Sequence, residues 1–341
     1  MQTPTNANRS TSCGWPGAAP RHGRSVSCSC CSPRSRCTRC SRKGAALYVQ
    51  RLIDGVTNGI QYGLVALSLV LVFKATKVIN FAQGAMALIG TYLAYTFTTS
   101  LGMPLAVAIG LAMVVSAVGA VGVERVLISH FDPNNHLAIV IVTLALYLAF
   151  NAIVAMVWGF DPKGFPTLFP KGSDSYLELA GARLYFTELG NIGLAVAVVV
   201  ALHLALTRTR LGLRFRCVAS SVDSARLVGV NIGRTSRGCW ALAAAVGTLA
   251  GCLAAPSTYL DPTFMDKILV YSFAAATLGG LDSVIGAVVG GVVVGLTITL
   301  VTGYVPVLGG EFGLGCAFLV IIVILQVKPS GLLGGRHLER V

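Results

Sequence analysis

Acidic side chains are scarce in this sequence. Asp and Glu number 13 in 341 residues, and charged residues of both signs make up only 11%. An ordinary soluble domain carries about 25% charged residues, so too little polar surface remains here to face water. A soluble enzyme of one or two domains is excluded. No catalytic constellation stands out: the 5 histidines are scattered and none lies near a cysteine pair. A phosphate-binding loop is missing as well. Such a loop needs four residues between its glycines and a lysine after the second, whereas Gly229-x3-Gly233-Arg234 has three and an arginine. Any ATP-driven work therefore has to come from a partner chain. Ionisable residues are nearly missing from the centres of the apolar runs. Glu124 and Arg125 sit at the end of one run, Asp266 and Lys267 at a loop edge, and Asp282 in a glycine break. Proton or sodium coupling usually needs buried carboxylates or broken-helix ion sites near the midplane, and only the glycine break leaves room for it.

What is abundant is apolar: hydrophobic residues reach 55%, mean hydropathy is +0.75, and 39 glycines suit helices packed backbone to backbone. Runs of about 18–22 residues recur, the length that crosses a hydrocarbon core of roughly 30 Å. They cover 55–73, 78–98, 104–123, 137–158, 190–207, 239–259, 284–303 and 312–327. A shorter run, 268–280, is followed by the break Gly279-Gly280-Leu281-Asp282. Irregular backbone at that depth is tolerated only inside protein or beside a water-filled cavity. The expected fold class is all-α, a polytopic α-helical membrane protein with eight or nine transmembrane segments.

Basic residues set the orientation. The loop 208–238 carries seven arginines against Asp223 alone and belongs in the cytoplasm. Counting back places 160–189 outside and Lys74 and Lys77 inside; counting forward places Lys328, Arg336 and Arg340 inside only if 268–280 also crosses. Residues 1–43 fit none of this, with eight basic residues, no acid and six of the 10 cysteines. Cys28-x2-Cys31 and Cys37-x2-Cys40 are separated by five residues, against about 15–20 in a zinc ribbon, so no metal site is assigned. A signal peptide fails for want of an apolar stretch and cleavage site before the first span, and a transit peptide fits the Ser/Arg bias better. The expected organisation is a disordered Ser/Arg/Cys-rich extension over 1–46, non-functional or a misplaced start, a transmembrane domain over 47–335 and a short cytoplasmic tail over 336–341.

Uncharged polar residues interrupt the first two runs: Asn58, Gln61 and Tyr62, then Asn80 and Gln83. Asn58 and Tyr62 share a helix face by their spacing of four, as Asn80 and Gln83 do by three. They line a solute path or hydrogen-bond between helices. The glycine pairs Gly247/Gly251, Gly286/Gly290 and Gly291/Gly295 bring helices close, within the chain or at a subunit interface. Cys217, Cys239, Cys252 and Cys316 lack ligand spacing and act as small apolar residues. In the basic loop, Asp223 in the first turn after Ser221 favours a short helix. That helix docks in a groove of a cytoplasmic partner, or the loop lies on anionic lipid.

Several segments together are similar to one family. They are Asn58-Gly59-x2-Tyr62-Gly63, Lys77-x2-Asn80-x2-Gln83-Gly84, Arg210-Leu211-Gly212, Leu278-Gly279-Gly280-Leu281-Asp282 through Gly291, and Lys328-x2-Gly331-x2-Gly334. In this order they resemble the LivH-type permease of branched-chain amino-acid ABC importers, over residues 47–335. Asp223-Ser224-Ala225-x3-Gly229 resembles the EAA-x3-G loop by which ABC importer permeases grip their ATPases, with Asp for Glu and Ser for the first Ala. The resemblance implies a bacterial inner-membrane subunit paired with a related LivM-type permease. It also implies two cytoplasmic ATPase subunits that hold the ATP, a periplasmic substrate-binding protein, and no nucleic acid. Asp223, Ser224, Ala225, Arg226 and Gly229 would couple ATPase closure to the spans, and Asn80, Gln83 and Gly84 would lie near the path. Gln83 stands where many members have His, Ala85 where many have an acid, and Asp282 where Gly is usual. Urea, an amide or another amino acid thus stays open as the solute. An ion-coupled secondary transporter and a non-transporting membrane scaffold are the rival classes.

Overall fold

Apolar runs in lipid form helices because each backbone N–H and C=O must find its partner within the segment. The computed structural model describes residues 33–131, 135–169, 176–179, 182–220 and 222–304, with single positions 315, 318, 319, 322, 323, 326 and 331. The chain divides into two compact units, Met1–Arg42 and Lys43–Val341. Cys28 and Cys31, most of the run 312–327 including Cys316, and the tail 336–341 lie outside the described residues.

Ten helices and one hairpin follow in order among the described residues: α1 (Pro33–Thr76), α2 (Gln83–Thr99), α3 (Leu105–Val126), α4 (His136–Trp158), β1 (Tyr176–Leu179), β2 (Ala182–Tyr185), α5 (Phe186–Arg208), α6 (Arg210–Ser220), α7 (Val222–Leu227), α8 (Ile232–Thr258), α9 (Phe264–Gly279) and α10 (Val284–Tyr304). Six of them are long and apolar enough to cross a membrane: the Leu47–Thr76 part of α1, α3 with its following turn, α4, α5, α8 and α10. The protein is an all-α, multi-pass membrane protein. Helix α2 has 17 residues and α9 has 16, so α9 rises about 24 Å.

Helices α1 and α8 form the centre, with 72% and 78% of their most apolar windows buried, against 17% for α5. Small residues make this possible. Gly55, Gly59 and Gly63 of α1 face Gly291 and Gly295 of α10, and a Cβ at Gly59 would stand 2.7 Å from Val292 Cα. Gly286 and Gly290 meet Gly279 and Ala275 of α9, while Gly247 and Gly251 meet Gln83, Ala87 and Thr91 of α2. All three glycine pairs therefore serve packing within the chain. Cys239 and Cys252 are buried and unoxidised among apolar neighbours.

Three sequence expectations change. The second run was expected to be helical from 78, but α2 begins at Gln83. Lys77, at φ +57°, closes α1 by donating its N–H to Phe73 O at 2.7 Å, a left-handed helix stop. Asn80 Oδ1 then accepts the Ala82 N–H at 3.0 Å. Asn80 therefore precedes α2, and its expected shared helix face with Gln83 does not exist. The segment 160–189 contains the antiparallel β1–β2 hairpin, with Tyr176 opposite Tyr185. The basic loop contains a second helix, α6, which buries Gly212, Phe215 and Val218 at intervals of three.

Candidate functional site

The middle of α1 and the first turns of α5 meet the last turns of α8 and α10 around a cavity of about 500 Å³. Its polar wall includes Arg51, Asp54, Asn58, Gln61 and Tyr62 from α1 and Glu188 and Asn191 from α5; its apolar wall includes Leu253, Pro256 and Ile298. Asn58 and Tyr62 thus do share a face, and that face looks into open space. Tyr62 packs on Tyr271 of α9 with ring centroids 5.1 Å apart. Gln61 is buried and donates from Nε2 to the Leu253 carbonyl at 3.2 Å, which ties α1 to α8 at the cavity floor. At the rim, Gln50 Nε2 donates to Asp54 Oδ1 at 3.1 Å, and Gln50 Oε1 accepts the Arg183 backbone N–H at 2.9 Å. The hairpin and α1 are thereby joined through one glutamine.

Asn80, Gln83 and Gly84 lie away from this cavity. Gln83 is fully buried and donates from Nε2 to the Ala243 carbonyl of α8 at 2.9 Å. Asn80 is buried, with its amide 3.9 Å from the Met86 sulfur. Gly84 lets α2 approach α9, where a Cβ would meet Leu269 Cδ2 at 3.0 Å. Gln83 and Gly84 thus join α2 to α8 and α9, and Asn80 braces the start of α2.

The glycine break is a tight turn. Gly280 has φ +94°, Ser283 N–H reaches the Gly280 carbonyl at 3.0 Å, and Ser283 Oγ accepts the Gly286 N–H at 3.0 Å. Asp282 pairs with Lys77 at 3.6 Å, with both side chains 37% exposed. Gly331 packs against the turn so closely that a Cβ would stand 2.6 Å from Gly280 Cα. Three of the sequence segments noted above, around Lys77, Gly280 and Gly331, therefore converge on one spot.

The basic segment presents α6 and α7. Helix α7 ends in a double hydrogen-bonded cap: Val230 N–H donates to Ala225 O and Gly229 N–H to Arg226 O, both at 3.0 Å. Gly229 supplies the left-handed residue, φ +78°, that this cap requires. Ala225 is buried, while Leu227 and Val228 are 89% and 79% exposed. Of Asp223 and Ser224 only the helical backbone is described. Beneath this surface, Arg237 of α8 lies 3.8 Å from the buried Glu124 of α3.

A family model described as "Branched-chain amino acid transport system / permease component" matches residues 51–325. The chain belongs to that permease family. Among curated relatives, the high-affinity branched-chain amino acid transport system permease BraD of Pseudomonas aeruginosa is 27% identical over 86% of this chain and 98% of its own. LivH of Escherichia coli K12 is 26% identical over the same shares of the two chains. A probable LivH of Methanocaldococcus jannaschii is 26% identical over 86% of this chain and 91% of its own. A chain of PsaBC from Streptococcus pneumoniae aligns over 82% of this permease and 91% of its own, with 13% identity and a TM-score of 0.45; it positions no residue here. The family match spans the cavity, α6, α7 and the Gly280 turn.

Sequence reasoning missed Arg51, Asp54 and Glu188 as permease cavity residues, because the runs were read from 55 and 190. The available signal was charge just before the apolar runs that start at 55 and 190.

Proposed function

We propose that this chain is the membrane-spanning permease subunit of an ABC importer for branched-chain amino acids in a bacterial inner membrane. The carrying observation is the family match over 51–325, which covers both the outer cavity and the α6–α7 surface. A related LivM-type permease pairs with it, a periplasmic binding protein delivers the solute, and two cytoplasmic ATPases bind and hydrolyse the ATP. Helix α7 is the coupling element, from Asp223 to Gly229. What supports this role is its cap at Gly229 and its two protruding apolar side chains, Leu227 and Val228, amid arginines. An exposed apolar pair on a charged surface is suited to a partner's groove.

Nine crossings fit best. Helix α10 leaves the Gly280 turn toward the cavity end, and Gly331 lies back at that turn, which supports this count. The arginine-rich end is then cytoplasmic and the cavity opens outward. Alternating access follows if ATPase closure binds the inward- and outward-open states differently. The test is uptake by the complete complex in proteoliposomes. Dependence on ATP and on added binding protein is expected; uptake driven by an ion gradient alone refutes the reading.

A further inference from the structure

We propose that the outer cavity is a reception site for the zwitterionic head of an α-amino acid, with Arg51 taking the carboxylate, Asp54 and Glu188 the ammonium, and Leu253 and Ile298 the aliphatic side chain. The inference rests on the amino-acid import proposed above and adds where this chain handles the solute once it is delivered.

Charged groups of both signs line this cavity. The Arg51 guanidinium lies against the backbone of Gly303 at the end of α10, in the space a Cβ would fill. Asp54 is fixed through Gln50, which the hairpin backbone holds in turn. Glu188 accepts the Tyr185 backbone N–H at 3.4 Å, so the start of α5 sets its position. Asp54 and Glu188 lie close enough for their charges to interact. Convergence from two helices, braced by a third helix and a hairpin, is a built arrangement rather than the ordinary charged surface of one helix. Placing charge in a partly closed space is costly unless opposite charge and hydrogen bonds meet it. A zwitterion meets both signs at once, whereas a lone carboxylate or a lone amine meets one. A volume of about 500 Å³ lies within the usual small-molecule range, with space left for water around a six-carbon amino acid. Loose fit and weak affinity suit a site that must also let go.

The test uses the full chain in nanodiscs carrying Thr299→Cys, a cavity-lining position, with maleimide labelling at that position read by peptide mass. Millimolar leucine should slow labelling, while leucinamide, without the carboxylate, and 4-methylpentanoate, without the ammonium, should not. Adding Arg51→Gln should weaken protection by about tenfold or more, the effect of one lost charge-assisted hydrogen bond; Arg51→Lys should restore part of it. Unchanged melting temperatures establish that these variants fold. Equal protection by all three compounds, or by none, overturns the zwitterion site. Uptake by the whole importer is scored separately: a complex that moves no amino acid sinks the import reading, whereas active import without protection sinks only this one.

Discussion

Gly229 offers the cleanest perturbation of the proposed coupling element. Its φ of +78° is a conformation that a side chain resists, yet a Cβ built there meets nothing within 4 Å. Substitution therefore acts on the backbone alone, without a clash. Left-handed backbone costs a non-glycine residue roughly 1–2 kcal/mol. That cost falls on a helix of six residues, too short to hold together without tertiary support, whose end rests on the two 3.0 Å bonds of the cap. A penalty of 1–2 kcal/mol corresponds to a factor of about 5–30 in the capped population. Reconstituted uptake should then fall in the order Gly, Asn, Ala, Val, because Asn tolerates the left-handed region and a β-branched residue does not. Gly229→Val should lose about 5–30-fold or more in uptake per ATP hydrolysed, while its amount in the membrane stays normal. Full coupling in Gly229→Val would refute the reasoning, since no conformational route spares a valine at that φ.

Other expectations concern packing and charge. Gly291→Ala places a methyl group in the backbone of Gly63 and should destabilise by about 1–3 kcal/mol, read as a lower melting temperature in nanodiscs. Gly119→Ala, which meets nothing within 4 Å, should be neutral or stabilising by up to about 1 kcal/mol in the same assay. Arg237→Met strands the buried Glu124 carboxylate and should cost about 1–3 kcal/mol, less than a fully buried pair because Arg237 is partly exposed; adding Glu124→Gln should recover most of it in a double-mutant cycle. The Lys77–Asp282 pair is exposed enough that its coupling energy should not exceed about 1 kcal/mol, and a larger value would mean that the Gly280 turn depends on it.

The helices were readable because a bilayer imposes a length of about 20 residues, and apolar runs such as 55–73 meet it. Helix starts were less readable for the same reason. A hydropathy window trims charged flanks, and so it discarded Arg51, Asp54 and Glu188, groups that line the cavity. Asn80 was misplaced because a side chain that satisfies the helical period also captures its own backbone in a turn, and the second effect won. Helix α6 hid among arginines, although the spacing of Gly212, Phe215 and Val218 marks its buried face. By contrast, α7 was legible, since Asp223 just after Ser221 marks a helix start, whereas its left-handed stop at Gly229 was not read from the sequence.

Helix α1 runs unbroken from Arg51 at the cavity to Thr76 beside the Gly280 turn. At 1.5 Å per residue the two ends lie about 38 Å apart, and the contact of Gly59 with α10 falls about 12 Å from one end and 26 Å from the other. The rod is a lever with unequal arms and a glycine fulcrum. A tilt of 10° about that contact would carry the inner end through about 4–5 Å and the Arg51 end through about 2 Å in the opposite sense. Movement at the Gly280 turn would thus arrive at the cavity halved and reversed.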